Sequence, residues 1–204
     1  MLNTTEEHAE PESGADAPLD DAWRSGDPDD FTLLVRRYKD RIYAVVYRML
    51  GNHEDAQEIA QEVFVLAYRN RDQFKGQSKV YTWLFRIAVN LCHNERRNRR
   101  RKGRDRGVSL EALQETAPGQ AESLGAQQVT PRQIAEQNEL ETALQACLET
   151  LPDLYRHAFV LRIVDEQAYR EIAETLNCPE GTIKSRLNQA RRRLRDCLQA
   201  NGVL

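Results

Sequence analysis

The feature that most constrains the fold is a helical repeat of apolar residues in every segment rich enough in them to fold. The first such run reads Phe31, Leu34, Val35, Tyr38, Ile42, Val45, Val46 and Met49. Steps of three and four residues place these side chains on one face of an α-helix. The sequence contains no run with strand alternation, no internal repeat of fixed period and no glycine-rich phosphate loop. We therefore predict an all-α protein.

Capping residues set the bounds of three helices in the first half of the chain. Asp27 and Pro28 start the first helix, and Gly51 can end it in the left-handed conformation. Asn52 opens a second helix that runs to about Asn70, and Ser78 can cap a third. The predicted inward residues of the second and third helices are Ile59, Val63, Phe64, Ala67, Val80, Trp83, Leu84, Ile87, Ala88 and Leu91.

A second group of helices follows a stretch without periodicity. The sequence Thr130-Pro131-Arg132-Gln133 has the form of a capping box, and Pro152 ends the helix that it opens. The apolar positions of that helix are Leu140, Leu144, Cys147, Leu148 and Leu151. Further helices are predicted at about 153–164, 169–176 and 180–199. The chain then divides into a disordered acidic tail (1–22), a helical domain (23–100), a flexible linker (101–129) and a second helical domain (130–204).

Charge is distributed unevenly along the chain. The net charge is −3, but residues 1–22 carry seven acids and no Lys or Arg, so the remainder carries +4. Eight bases lie between Arg96 and Arg106, and six lie between Lys184 and Arg195 with no acid among them. Such blocks favour a polyanionic partner.

Hydropathy and the N-terminal sequence indicate the compartment. The mean hydropathy is −0.70, and no apolar run approaches the roughly 20 residues that a membrane helix needs. The first residues, MLNTTEEHAE, have neither the basic start nor the apolar stretch of a secretory signal. We expect a cytoplasmic protein that does not insert into a membrane.

The cysteines and titratable residues do not predict catalysis. Cys92, Cys147, Cys178 and Cys197 include no C-x-x-C pair, so we expect reduced thiols and neither a metal nor another cofactor. Helical carboxylates without a neighbouring nucleophile or base are a poor basis for an active site, so we do not expect an enzyme.

The last two predicted helices, with the turn Asn177-Cys178-Pro179 between them, have the dimensions of a helix-turn-helix. On a helical wheel, one side of the final helix is apolar, formed by Ile183, Leu187, Ala190 and Leu194. The opposite side presents groups suited to base edges, namely Ser185, Asn188, Gln189 and Arg192. The absence of acids from Gly181 to Arg195 favours DNA contact over a merely solvated basic face.

Two other surfaces leave alternatives open. The third helix carries a polar stripe, with Trp83 and Asn90 at its margin, formed by Thr82, Arg86, His93, Arg97 and Arg100. This stripe is consistent with single-stranded nucleic acid, or with a core tryptophan beside solvated arginines. The second helix carries an acidic ridge that either binds a basic partner or balances neighbouring arginines, formed by Glu54, Asp55, Glu58 and Glu62.

Several segments together resemble the extracytoplasmic-function (ECF) group of bacterial sigma factors. EDAQEIAQEVF (54–64) resembles the family's region two stretch that docks on the β′ coiled coil of RNA polymerase. FKGQSKVYTWLFRIAVN (74–90) resembles the stretch that opens and reads the minus-ten promoter element. LETLP (148–152) with Arg156, YREIAETL (169–176) and GTIKSRLNQAR (181–191) resemble region four, which reads the minus-thirty-five element.

The resemblance implies a role for each surface. Minus-thirty-five contacts are expected from Thr182, Lys184, Ser185, Arg186, Asn188, Gln189, Arg191 and Arg192. Minus-ten contacts are expected from Asn70, Phe74, Lys75, Ser78, Thr82, Trp83, Arg86, Asn90 and Arg97. Polymerase contacts are expected from Asp55, Glu58, Gln61, Glu62 and Phe64.

The implied partners are RNA polymerase core, through the β′ coiled coil and the β subunit, promoter DNA, and an anti-sigma factor. The alternative from the residues alone is a stand-alone helix-turn-helix regulator that binds DNA without polymerase. A third interpretation is an interaction protein whose first domain is a scaffold.

Overall fold

The computed structural model describes residue 23 and residues 28–105 and 131–203. These residues form seven α-helices and one short 3-10 turn and contain no strand, so the all-α prediction is confirmed. The helices are α1 (Pro28–Leu50), α2 (His53–Arg69), α3 (Val80–Asp105), α4 (Pro131–Thr150), α5 (Asp153–Ile163), α6 (Tyr169–Thr175) and α7 (Glu180–Ala200). The predicted acidic tail, most of the linker and the Thr130 cap lie outside the described residues.

Helices α1 to α3 form the first bundle, and local chemistry sets their ends. Gly51 adopts φ +78°, which ends α1 as predicted because glycine tolerates the left-handed region without steric cost. The Asn52 side chain accepts a hydrogen bond from the Asp55 backbone N–H at 3.1 Å, which caps α2. Helix α3 begins at Val80, one residue later than a Ser78 cap would place it, and continues through Asp105, five residues into the predicted linker.

The core of this bundle contains the predicted apolar faces and more. Tyr38, Ile42, Val63 and Leu84 are buried, as their spacing predicted. Helix α3 is also buried on a side that the sequence did not mark, through Tyr81, Phe85, Val89 and Cys92. A helix that is covered on more than one face has more than one packing partner. Helix α3 packs against α1 through Tyr81, and it also contacts the other helical group, because Arg86 donates to the backbone at the end of α6.

Helices α4 to α7 form the second bundle. The apolar side of α7 is buried as predicted, at Ile183, Leu187, Ala190 and Leu194. The predicted apolar face of α4 is only partly buried, because Leu140 remains 48% exposed. Helices α6 and α7 enclose a tight turn in which Asn177 adopts φ 48°, a conformation that asparagine tolerates better than most residues.

The two bundles pack directly on each other. One apolar cluster runs from α1, α2 and α3 into α5, α6 and α7, where it includes Ala158, Leu161, Ile172 and Ile183. A second, smaller cluster joins α4 to the C-terminal half of α7. The described residues therefore form a compact arrangement in which the second bundle rests on the first.

The prediction that all four cysteines are reduced thiols is wrong for two of them. Cys147 of α4 and Cys197 of α7 form a disulfide, with Cα atoms 5.9 Å apart. Cys92 and Cys178 are free. Because the two bonded residues are 50 positions apart in the sequence, only the packing of α4 on α7 brings them together, and spacing alone gives no sign of it.

Candidate nucleic-acid interface

The polar side of α7 is open to solvent. Seven of its predicted base and phosphate contacts keep the orientation that the helical wheel gives them, pointing away from the buried side. The exposed members are Lys184, Ser185, Asn188, Gln189, Arg191 and Arg192, and Thr182 is half-buried. The Ser185 hydroxyl donates to the Thr182 carbonyl at 2.9 Å, which holds it close to the helix start. This face is free to enter a major groove.

Arg186 is placed differently from its neighbours. Its side chain is half-buried, and its Nη1 donates to the Cys178 Sγ at 3.4 Å. The contact ties the recognition helix to the turn that precedes it. Arg186 therefore positions the helix-turn-helix in this arrangement, in addition to any contact that it makes with phosphate.

The N-terminal part of the polar stripe of α3, at Thr82 and Arg86, is covered, whereas His93, Arg97 and Arg100 are exposed. Thr82 is only 1% exposed. The guanidinium of Arg86 donates to the backbone carbonyl of Glu174 at the end of α6, at 2.9 Å from Nε and 2.6 Å from Nη2. Lys79, just before α3, pairs with Glu171 at 3.4 Å. The second bundle thus occupies the N-terminal part of the face of α3 that the sequence assigned to unpaired DNA.

The loop before α3 brings together several of the remaining predicted minus-ten residues. Asn70 is bonded to its own helix, since its Nδ2 donates to the Leu66 carbonyl at 2.8 Å. Phe74 packs on Trp83 with ring centroids 5.5 Å apart, and Trp23 contacts the same ring at 6.1 Å. Lys75 is exposed and Ser78 half-buried. The rings of Trp23, Phe74 and Trp83 therefore form one aromatic cluster in this structure.

Further along α3, Asn90 and Arg97 remain exposed. These two residues share the helix with Thr82 and Arg86 but lie beyond the part that α6 covers. The predicted minus-ten surface is thus split into a covered N-terminal half and an open C-terminal half.

The acidic side of α2 is presented to solvent. Glu58, Gln61 and Glu62 are exposed. Asp55 is half-buried and forms an ion pair with Arg99 of α3, and Phe64 is only 7% exposed within the core. The structure therefore leaves three of the five predicted polymerase contacts accessible, while Asp55 and Phe64 contribute to the packing of α2.

A set of ionic contacts between the two regions was not predicted from the sequence. Asp153 at the start of α5 accepts from Arg96 at 2.9 Å and lies 3.4 Å from both Arg100 and His93 of α3. Arg41 of α1 donates to Asp165 at 2.8 Å. Burial raises the pKa of the Asp165 carboxyl, and Arg41 opposes that rise by stabilising the charged form.

The most deeply buried polar link is Arg156 of α5. Its side chain is fully buried, and its Nη1 donates to the Met49 carbonyl at the end of α1 at 3.0 Å. Its Nη2 donates to the carbonyls of Glu149 and Leu151 at 2.6 and 2.7 Å. One guanidinium therefore joins the end of α1 to the turn between α4 and α5. The sequence marked Arg156 only through its place beside the LETLP motif.

Other kinds of site are not found within the described ranges. No group of three or more His, Cys, Asp or Glu side chains is placed to hold a metal ion there. None of the helices that the structure describes is long and apolar enough to cross a membrane. The notable surfaces are the polar face of α7, the partly covered face of α3 and the acidic face of α2.

Each of the two bundles matches a known protein family. Residues 34–102 match Sigma-70 region 2, and residues 141–194 match Sigma-70, region 4. These ranges cover most of α1 to α3 and most of the helix-turn-helix respectively. The fold and its exposed basic helix thus define a two-part DNA-binding transcription protein.

Curated relatives extend the match over most of the chain. The ECF RNA polymerase sigma factor SigW of Bacillus subtilis is 39% identical over 176 residues, which cover 86% of this chain and 92% of SigW. The ECF RNA polymerase sigma-E factor of Escherichia coli K12 is 35% identical over 169 residues, covering 82% and 86% of the two chains.

Two solved structures are similar in fold to this chain. The sigma factor RpoE of Bartonella quintana, solved in complex with the anti-sigma factor NepR, gives a TM-score of 0.64 at 27% identity and covers 84% of this chain and 98% of RpoE. CnrH, solved in complex with the cytosolic domain of CnrY, shares the fold with a TM-score of 0.64 at 22% identity, over 91% and 97% of the two chains.

This chain belongs to the sigma-70 family, as an RNA polymerase sigma factor of the ECF group. Proteins of this kind direct core polymerase to specific promoters for the initiation of transcription. The prediction made from the sequence segments is confirmed at this level, and the stand-alone regulator is not favoured.

Proposed function

We propose that this sigma factor divides promoter recognition among three surfaces and that the described arrangement is a closed form that must open before the minus-ten element is bound. In this account α7 reads the minus-thirty-five duplex, α3 and the loop 70–79 capture the unpaired minus-ten strand, and α2 docks on the β′ coiled coil. The protein works in the cytoplasm beside polymerase and DNA, and it supplies specificity without catalysing a reaction itself.

The accessible side of α7 supports the minus-thirty-five role. Asn188 and Gln189 offer amide groups that can pair with a base edge, and exposed Lys184 and Arg191 flank them at positions suited to phosphates. The burial of Ile183 and Leu187 on the opposite side fixes the direction in which these groups point. A rigid helix with an exposed polar face needs no rearrangement to enter a groove.

The covered side of α3 supports the closed form, and Arg86 carries this inference. Its two hydrogen bonds to the Glu174 carbonyl use the donors that a DNA backbone would need. Thr82 is also inaccessible. A nucleic-acid strand cannot occupy this surface while α6 does, so the two regions must separate first. The contact is a competition between region four and the promoter for one set of side chains.

An anti-sigma factor is a fitting partner for this form. The RpoE relative, whose similarity extends over both regions of this chain, was solved with the anti-sigma factor NepR. We extend this pairing to the present chain: a protein that binds across both regions stabilises the closed form by mass action. Its release then makes α3 available to the promoter.

The direct test of the assignment is run-off transcription with purified core polymerase on a promoter library, with and without this protein. We expect transcripts that share a two-element promoter only when the protein is present. Specific duplex binding by the protein alone, with no stimulation of transcription, would instead indicate a stand-alone regulator.

The closed form is tested by an Asp153→Asn variant, because Asp153 lies in region four and none of the proposed DNA contacts includes it. The substitution removes the carboxylate that faces Arg96, Arg100 and His93. We expect the radius of gyration in small-angle X-ray scattering to increase. Glu166→Gln is the matched control, since it removes an exposed carboxylate from the same region. Equal radii for the two variants and the parent would contradict the closed form.

A further inference from the structure

We propose that Cys147 and Cys197 are a reversible redox site that locks α4 onto the recognition helix and so holds region four closed on region two. The inference rests on the closed form proposed above and adds its regulation. The cysteines are joined in the structure, with one on α4 and the other in the last turn of α7. Neither belongs to any surface assigned to DNA or polymerase.

The surroundings of the bond suit thiol–disulfide exchange. Cys147 is fully buried, whereas Cys197 is half-buried, so an external thiol can approach Cys197 only. The side-chain amide of Asn201 lies 3.5 Å from the Cys147 Sγ and 3.6 Å from the Cys197 Sγ, with its nitrogen as donor. A hydrogen-bond donor beside a sulfur stabilises the thiolate over the thiol. The buried sulfur therefore has a partner when it leaves as an anion.

The position of the bond couples it to the closed form. Apart from the disulfide, a small apolar cluster of Leu148, Leu151, Ala190 and Leu194 packs α4 and the residue after it against α7. Helix α4 also contacts region two. There Glu141 pairs with Arg48 of α1 at 2.5 Å.

A second contact joins α4 to the same helix. The Gln145 amide donates to the Arg48 carbonyl at 3.5 Å. Helix α4 is thus bonded both to the recognition helix and to α1. A covalent bond at one of these ends limits the motion of the helix at the other.

The chemistry needs only a thiol and a disulfide as co-reactants. A glutathione thiolate attacks the Cys197 sulfur, the bond between the two protein sulfurs breaks, and Cys147 leaves as a thiolate that takes a proton from water. A second glutathione thiolate then attacks the mixed disulfide. This step releases oxidised glutathione and leaves Cys197 as a thiolate that is protonated in turn. Oxidised glutathione drives the same steps in reverse.

The other two cysteines do not share this role. Cys92 is fully buried in region two, and burial raises the pKa of its thiol to about 12, so it holds its proton and reacts slowly. Cys178 is half-buried at the helix-turn-helix and accepts from Arg186. In a reducing compartment, a disulfide between two protein cysteines is typically transient or redox-sensing. The Cys147–Cys197 pair therefore responds to the cellular thiol pool.

The experiment equilibrates the full-length protein in glutathione buffers of increasing reduced-to-oxidised ratio. Alkylation with a maleimide reagent counts free thiols, hydrogen exchange with mass spectrometry follows the amides of α4, and scattering gives the radius of gyration. The panel contains the parent protein, Cys197→Ser, Cys147→Ser and the control Cys178→Ser.

We expect two thiols to appear together as the buffer becomes reducing, in the parent and in Cys178→Ser. Exchange in α4 should then become at least tenfold faster, and the radius should increase. Cys197→Ser and Cys147→Ser should show the fast exchange at every ratio. Because the parent is compared with itself in two redox states, the result does not depend on how well either serine variant folds.

Two results would overturn the inference. One is a bond that stays closed in a large excess of reduced glutathione under native conditions. The other is a bond that opens without any change in α4 exchange or in radius. Asp153→Asn separates this failure from failure of the closed form itself. If that variant expands while the reduced parent stays compact, the closed form stands and the redox coupling is wrong; if neither expands, the closed form is wrong.

Discussion

Helices α3 and α7 carry the two predicted DNA surfaces, yet only one of these surfaces is fully accessible. The polar face of α7 points to solvent from Lys184 to Arg192, whereas α3 has Thr82 buried and Arg86 bonded to the end of α6. Both helices are amphipathic and basic, so local sequence does not separate them. The difference arises because α7 packs through one side and α3 through two. The accessibility of a predicted DNA surface therefore depends on tertiary contacts as well as on its own residues.

Arg156→Met should have the largest effect on the contact between the two regions, because Arg156 of α5 bonds to the end of α1. The substitution keeps the apolar stem but removes the donors to the carbonyls of Met49, Glu149 and Leu151. Buried carbonyls that lose charged donors should lower the free energy of unfolding by about 3–5 kcal/mol. Urea unfolding measures the loss. Arg170→Ala, at an exposed pair with Glu174, is the control and should cost less than about 0.5 kcal/mol; equal losses would contradict the role of Arg156.

Asn188→Ala tests the open side of the comparison. Loss of its amide should cost about 1–3 kcal/mol of binding free energy at one base pair of the minus-thirty-five element and little elsewhere. Competition binding against single-base promoter variants measures this selectivity. Lys184→Ala is the matched control: as a phosphate contact it should weaken all sequences about equally and reduce the salt slope by about 0.9. A uniform loss for Asn188→Ala would refute base reading.

Protonation of His157 should have a smaller effect, which grows as pH falls. It is buried on α5 with its ring centroid 6.5 Å from that of His93 on α3, and burial lowers its pKa to about 4, with Arg96 and His93 acting in the same direction and Asp153 against it. The folded protein therefore binds this proton less readily than the unfolded chain, in which the pKa of a histidine is about 6.5. The stabilisation that neutral His157 gives to the folded state is complete above pH 6.5 and is lost as pH falls towards 4.

Between pH 6.5 and 4, the free energy of unfolding should fall by up to about 1.4 kcal/mol per pH unit. Unfolding free energies at pH 7.5, 6.5 and 5.5 measure it. His157→Gln cannot gain a proton and should show a flatter dependence below pH 6.5. An identical pH dependence in the variant and the parent would assign the effect to other groups.

The elements and their inward faces were predictable because each depends on neighbours along the chain. Helical spacing predicted the burial of Ile42, Val63 and Ile183, and Gly51 and Asn52 marked the boundary between two helices. The same periodicity also predicted which side of α7 is exposed. These features follow from residues three or four positions apart.

Contacts between distant segments were not predictable from these patterns. Thr82 has a polar side chain on a polar stripe, yet it is buried one turn from Arg86, which bonds to the end of α6. The Cys147–Cys197 bond likewise depends on how α4 crosses α7. Helical spacing shows that a face is buried and does not show which element buries it.

The most direct test of the central claim compares two probes from one promoter on the free protein: the minus-thirty-five duplex and the minus-ten single strand. The closed form predicts that the parent binds the duplex specifically and binds the strand at least tenfold more weakly than Asp153→Asn does. Duplex affinity should be the same for both proteins. Equal affinity of parent and variant for the strand would contradict the claim that region four covers part of the minus-ten surface and so blocks the strand.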